Sequence, residues 1–251
     1  MKLTPLIAFT IVCACALFSC KKNSNSTSPN DPNKLKLYIE DLSQAPENKI
    51  DTFTVTYDAD NRITAVTAPD LRFVYTYGSG ASFTLDLYVL NALSIHEIYF
   101  LNNQMYVDST FQYNDTNDTT TEKYVYSGTR LASLTDYDYT TFGGAQLYSE
   151  DEYQYDNNGN VTTDTQIDQY AGVTITTSTY GSQILNFSIS PSYSAMLSKN
   201  VPLTQVQTDG YGDVNASITY TYTFDSKGRV TKQTATDSIS GYIASKIFVY
   251  Y

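Results

Sequence analysis

The sequence predicts an all-β protein, a single curved antiparallel meander of many hairpins forming an open or partly closed barrel-like sheet, with one short helix near residues 192–199. Three observations point there. A turn-forming phrase recurs as Tyr57-Asp58-Ala59-Asp60-Asn61-Arg62-Ile63, Tyr155-Asp156-Asn157-Asn158-Gly159-Asn160-Val161 and Phe224-Asp225-Ser226-Lys227-Gly228-Arg229-Val230, with a copy one residue shorter at Tyr126-Ser127-Gly128-Thr129-Arg130-Leu131. The segments before each copy alternate, as in Tyr220-Thr221-Tyr222-Thr223-Phe224, which puts every second ring on one face of a strand. Turn residues interrupt strand-forming stretches almost everywhere else.

The phrase has a physical explanation. An Asp at the first turn position can accept from the backbone N–H two residues on and close an Asx turn. Asn61, Gly159 and Gly228 then occupy the slot where the chain must take positive φ, which Gly and Asn tolerate best. A type I turn followed by one left-handed residue joins antiparallel strands with the twist they need.

In chain order, strands are expected at 35–40, 50–57, 63–67, 71–77, 82–89, 96–101, 104–113, 122–126, 131–139, 146–155, 161–170, 174–180, 218–224, 230–236 and 242–251. Residues 85–93 carry Leu at a spacing that fits either a helix or a buried strand. The expected helix at 192–199 ends at Asn200 before Pro202, a pair of helix breakers. The aromatics at 57 and 155, and those at 126 and 224, are related by one shift of 98 residues, and Tyr77-Gly78 and Tyr180-Gly181 follow at a slightly larger offset. A two-fold internal duplication would produce such a shift, and so would the shared turn chemistry of any hairpin-rich chain.

Residues 1–19 read as a lipoprotein signal peptide. Lys2 precedes an apolar run from Leu6 to Leu17 that is too short for a spanning helix. Leu17-Phe18-Ser19-Cys20 resembles the lipobox of bacterial lipoproteins, with Phe18 bulkier than usual at its position. Residues 20–34 then form the lipidated Cys20 and a polar tether, and 35–251 a single β-rich domain. Each buried acyl methylene contributes about 0.8 kcal/mol, so two or three chains on Cys20 anchor the protein durably. Cys13 and Cys15 leave with the signal, and the mature domain has no thiol for a disulfide or a thiolate metal site. The residues after Cys20 are basic, so no acidic surface-export tag is visible, and periplasmic and cell-surface exposure stay open.

Without Lys2, fourteen basic residues face 26 acidic ones, a net charge of −12. That argues against nucleic acid, which needs phosphate-neutralising Lys and Arg, and against adhesion to anionic lipid. With 24 Tyr and no Trp, the apolar surface carries hydroxyl handles throughout.

The Tyr-Asp-x-x-Gly-Arg-Val phrase with its upstream aromatic alternation resembles the YD repeats of large secreted shell-forming proteins. The whole layout, lipobox included, is similar to an uncharacterised family of envelope lipoproteins described as having a porin-like β fold, and Lys199-Asn200-Val201-Pro202 resembles a segment that recurs there. Asn160 stands where the phrase elsewhere has Arg, and the copy at 126 lacks the Asp. The resemblance implies a curved antiparallel meander and brings no activity with it.

Candidate sites are few. His96 is the sole histidine, flanked by Ile95 and close to Ile98, and reads as a strand residue. Asp156-Asn157-Asn158-Gly159-Asn160 has its Gly at the fourth rather than the sixth position of a calcium loop and no acid at the twelfth, so no metal and no cofactor are expected. Glu150-Asp151-Glu152 and Asp136/Asp138 could supply the paired carboxylates of a glycosidase, though solvated strand edges explain them better. Residues 243–251 alternate toward a terminal aromatic as in membrane barrels, yet residues 119–126 lack a lipid-facing aliphatic band. The expected function is therefore a lipid-anchored envelope protein of the outer membrane, not an enzyme, that binds a glycan, peptide or lipid or acts as a scaffold. A carboxylate-dependent glycoside hydrolase and a structural subunit of an outer-membrane assembly are the alternatives, and an envelope-protein partner fits the last.

Overall fold

The computed structural model describes residues 34–44, 49–114, 119–140, 144–185 and 198–251. Sixteen strands follow one another: β1 (Leu35–Asp41), β2 (Ile50–Tyr57), β3 (Ile63–Thr67), β4 (Leu71–Tyr77), β5 (Ser82–Val89), β6 (Ala92–Leu101), β7 (Val107–Asn114), β8 (Thr119–Ser127), β9 (Arg130–Thr140), β10 (Gly144–Tyr155), β11 (Val161–Asp168), β12 (Gly172–Ile184), β13 (Asn200–Asp209), β14 (Val214–Phe224), β15 (Val230–Asp237) and β16 (Ile243–Tyr250). Each pairs antiparallel with its neighbours in sequence, and β1 pairs with β16 through Tyr38↔Phe248 and Ile39↔Ile247.

The sheet is thus a closed barrel, not the open or partly closed one expected. Closure gives the β1 and β16 backbones partners and leaves no edge for another chain to extend. Residues 85–93 resolve as the β5–β6 hairpin. Of the expected helix, residues 192–197 lie outside the described residues, Ser198 and Lys199 are not helical, and no helix occurs among the described residues. The breaker pair Asn200 and Pro202 instead opens β13, a strand the sequence reading missed; Pro202 is tolerated because it pairs with Tyr180 at a register shift.

The turn phrases gather at one end of the barrel, with both ends of the domain. Asp60, Asn158 and Lys227 each donate their N–H to the Asp two residues before, at 2.9 Å. Asn61, Gly159 and Gly228 take φ of 67°, 89° and 76°. The segment 101–107 is a further copy: Asn102 accepts from Gln104 and Tyr106, and Met105 takes φ 64°. A register shift sits beside these turns between Thr56/Tyr57, Phe100/Leu101, Gln154/Tyr155 and Thr223/Phe224.

The repeating unit is the two-strand hairpin, not half of the chain. The shift of 98 carries β2 to β10, eight strands on, but β8 only to β14, six strands on. Every odd-numbered strand has a buried apolar residue at its first or second position: Leu35, Ile63, Phe83, Val107, Leu131, Val161, Val201 and Val230. Above them runs a ring of tyrosines. Tyr57, Tyr77, Tyr126, Tyr155, Tyr180, Tyr222 and Tyr250 donate their hydroxyls to the carbonyls of Leu35, Ile63, Val107, Leu131, Val161, Pro202 and Val230 at 2.7–2.9 Å. On β6 the position belongs to Leu101.

The turn arginines close over this ring. Arg62 and Arg229 are held by Asp58 and Asp225 at 2.7 Å and lie over Tyr77 and Tyr250, with guanidinium-to-ring distances of 4.4 and 4.3 Å. Asn160, the departure from the phrase, keeps the bond to Asp156 and accepts from the backbone of Lys199 and Asn200, which pins the start of β13 to the β10–β11 turn. A core of Tyr38, Phe53, Val55, Val66 and Phe248 fills the barrel beside the ring.

The outer face mixes polar and charged side chains with exposed apolar ones such as Phe100, Val125, Ile247 and Val249. Thr52, Thr54 and Thr56 on β2, Thr177 and Thr179 on β12, and Thr219, Thr221 and Thr223 on β14 are exposed, as are Arg72, Lys123, Glu152 and Lys232. An Arg or Lys on a lipid-facing barrel wall costs about 2–4 kcal/mol at mid-bilayer, and these charges are spread around the circumference.

Candidate functional site

The unusual chemistry lies inside, on the half of the wall built by β6 to β11. Strand pairing puts the partners of a buried residue on the same face, so Glu97 on β6, Glu122 on β8, Asp136 and Asp138 on β9, Asp151 on β10, and Asp164 and Asp168 on β11 all point inward. Period-two alternation does this: Asp136 and Asp138 share a face, while Glu150 and Glu152 fall opposite to Asp151.

Burial decides the charge state of this wall. Glu97 and Asp151 are 8 % and 9 % exposed. Burial, reinforced by Glu122 and Asp136, raises the Glu97 carboxyl to about 7, against the opposing bonds from Tyr99 and Thr110. Burial also raises Asp151 to about 7, with Asp164, Glu122, Asp136 and Glu150 adding to it. Asp136 rises to about 6 through burial and then Glu122 and Asp138, and Asp164 to about 6 through burial.

Donors are scarce among them. Tyr99 donates to Glu97 at 2.7 Å and Tyr124 to Glu122 at 2.5 Å. Asp151 accepts no hydrogen bond among the described residues, and one oxygen each of Asp136 and Asp164 is sealed from water with no partner. The other half of the wall is satisfied: Lys246 bonds Glu40 at 3.1 Å, Gln205 and Tyr220 pair, and Gln233 donates to Tyr222. Among the described residues the β6–β11 wall is therefore rich in carboxyls without cationic partners, beside a wall whose polar groups are paired.

Water reaches the wall from the end opposite the tyrosine ring. Gln166 pairs with Asp151, and Gln146 with Asp138, so both point inward, yet both are exposed. Among the described residues, the arginine-covered tyrosine ring closes one end of the barrel, and the exposed inward side chains lie toward the other, so we call the interior a cup. Around that mouth, hairpin tips present Leu90, Tyr170, Tyr211 and Ile239 to solvent, Tyr211 at 97 %.

The residues singled out from the sequence scatter. Cys20 lies outside the described residues. Glu150, Asp151 and Glu152 do not gather on one face, because two of these carboxylates face out and one in. Asp136 and Asp138 do join Asp151 inside. His96 sits on the outer face, bonded through Nδ1 to Asp86 at 2.5 Å. Asp156 spends its oxygens on its own turn. Among the described residues no group of three or more His, Cys, Asp or Glu could hold a metal ion. Sequence reasoning missed Glu97, Glu122 and Asp164, because acids on strands far apart in the chain give no local signal.

Two solved structures share this architecture. A porin-like protein from Bacteroides uniformis matches with a TM-score of 0.64 and 16% identity, over 90% of this chain and 100% of its own. One from Bacteroides vulgatus matches with a TM-score of 0.64 and 9% identity, over 87% and 98%. At such identities the likeness is one of fold. No protein-family model and no curated protein matches the chain.

Proposed function

We propose that the protein is a lipid-anchored component of the outer membrane, facing the periplasm or the cell surface, that binds a small envelope ligand in the cup of its barrel and carries out no catalysis. The observation that carries this reading is the inward carboxylate wall reached through Gln166 and Gln146. Charged side chains spread around the outer face favour attachment through an acyl chain on Cys20. A glycan or peptide group has the hydrogen-bonding capacity that tyrosine hydroxyls and carboxyls can meet.

A photo-crosslinking residue at Gln166, compared with one at Glu152 on the outer face, tests this in intact cells. Adducts with a small envelope component from position 166 and not from 152 are expected. Adducts from 152 alone would overturn the cup as the binding site.

One observation favours a second reading, the structural subunit. Leu90, Tyr170, Tyr211 and Ile239 put apolar side chains on four hairpin tips around one mouth. A stable protein partner that co-purifies after detergent extraction, and is lost when all four are changed to Ser, would support it.

A further inference from the structure

We propose that the acidic half of the cup is a receptor for an organic ammonium ion. The inference rests on the reading of the cup as a ligand site and names the class of ligand it takes.

Across six consecutive strands, β6 to β11, seven carboxyl groups turn inward, and the only Lys and Arg on those strands are Lys123, which points outward, and Arg130, which lies over Tyr155 at the ring. The charged groups acting on Glu97, Asp136 and Asp151 are other carboxylates. A buried carboxylate without a cationic partner is costly, and burial therefore makes these groups hold a proton more tightly than free carboxyls do. An arriving cation supplies the missing countercharge and lets them ionise. Asp151, nine-tenths buried and with no hydrogen bond among the described residues, and the unpartnered buried oxygens of Asp136 and Asp164 are acceptors available to a cationic donor.

The kind of cation follows from the spread of the wall. No three of these acids are gathered closely enough for a metal ion. An ammonium group, with three N–H donors, needs no tight shell, and a chain carrying several can bridge carboxylates on successive strands. Tyr99, Tyr124 and Tyr153, inward on β6, β8 and β10, add ring faces to which a desolvated cation is drawn. A neutral sugar would leave the buried acids uncompensated.

The sequence contains no Trp, so Gln166→Trp places a single indole at the mouth of the mature lipoprotein as a reporter. At pH 8 the probes are spermidine, a tri-lysine peptide, chitotriose as a neutral probe, and sodium chloride at matched ionic strength. The expected result is a saturable emission change with spermidine that weakens by about tenfold or more when Asp151→Asn is added, as loss of a buried charged partner requires, and that weakens again at pH 5. A response to tri-lysine of the same strength assigns the site to amines borne on peptides as well as free ones. A response to chitotriose but to neither amine would overturn the ammonium assignment and leave the cup as a binding site. A spermidine response matched by salt, or untouched by Asp151→Asn in a protein of unchanged circular dichroism, would also overturn it. Silence with every probe would overturn both readings.

Discussion

Asp151 and Gln166 stand opposite each other across the β10–β11 ladder on the inner wall, yet Asp151 is sealed to 9 % exposure while Gln166 is open to water. Below Asp151 the wall runs to Tyr155 and the capped end; above it lies the mouth.

The raised carboxyls make stability fall as pH rises. Glu97 binds its proton more tightly in the folded chain, so between its unfolded value near 4.5 and its folded value of about 7 the folded state holds more protons than the unfolded one. Stability is therefore greatest below that window and is lost through it. Glu97→Gln, which still accepts from Tyr99, should raise stability at pH 8 by roughly 1–3 kcal/mol and change little at pH 4. Thermal melts of both proteins across that range check it; an equal effect at both pH values would show that the burial argument is wrong.

The tyrosine ring should hold its hairpins individually. Tyr155→Phe removes one hydroxyl bond, to Leu131, and keeps the ring under Arg130. The expected loss is about 0.5–1.5 kcal/mol, read from denaturant unfolding. A variant as stable as the parent would reduce the ring to packing alone.

Positive φ is met by glycine at one turn and by methionine at the equivalent place in another. A Cβ at Gly228 would meet nothing within 4 Å, so Gly228→Ala carries only the backbone penalty of φ 76°, about 1–2 kcal/mol. Met105 fills the equivalent slot at φ 64°, and Met105→Gly should be neutral or stabilising there. Matched melting curves decide whether the two changes differ in sign.

Cys20 has its own measurement. Mass spectrometry of the mature N-terminus should find a diacylglyceryl group on that residue, and Cys20→Ser should keep the signal segment and lose the lipid mass. A mature chain that begins elsewhere without lipid would remove the anchor from the proposal.

Local chemistry carried far in the sequence. The Tyr-Asp phrase announced its turn through the Asp that bonds two residues on and the Asn or Gly that takes positive φ, and both are where the spacing put them. Strand β13 escaped because Asn200 and Pro202 look like breakers, whereas a register shift opposite Tyr180 accommodates the proline. The copy at 101–107 escaped because Leu, Asn and Met stand in for Tyr, Asp and Gly. Of the acids, Asp136, Asp138 and Asp151 were visible as neighbours in sequence, but alternation split Asp151 from Glu150 and Glu152 and joined it to Glu97, Glu122 and Asp164.

By itself, then, the sequence determined an all-β chain of hairpins, because turn geometry and period two are written within a few residues of each other. Closure between β1 and β16, the ring of tyrosine hydroxyls on carbonyls one hairpin away, and the gathering of acids on one inner wall were decided only by tertiary structure. Each joins residues whose separation in the chain leaves no local trace, and each depends on which face of a strand turns inward, which is settled only when the barrel shuts.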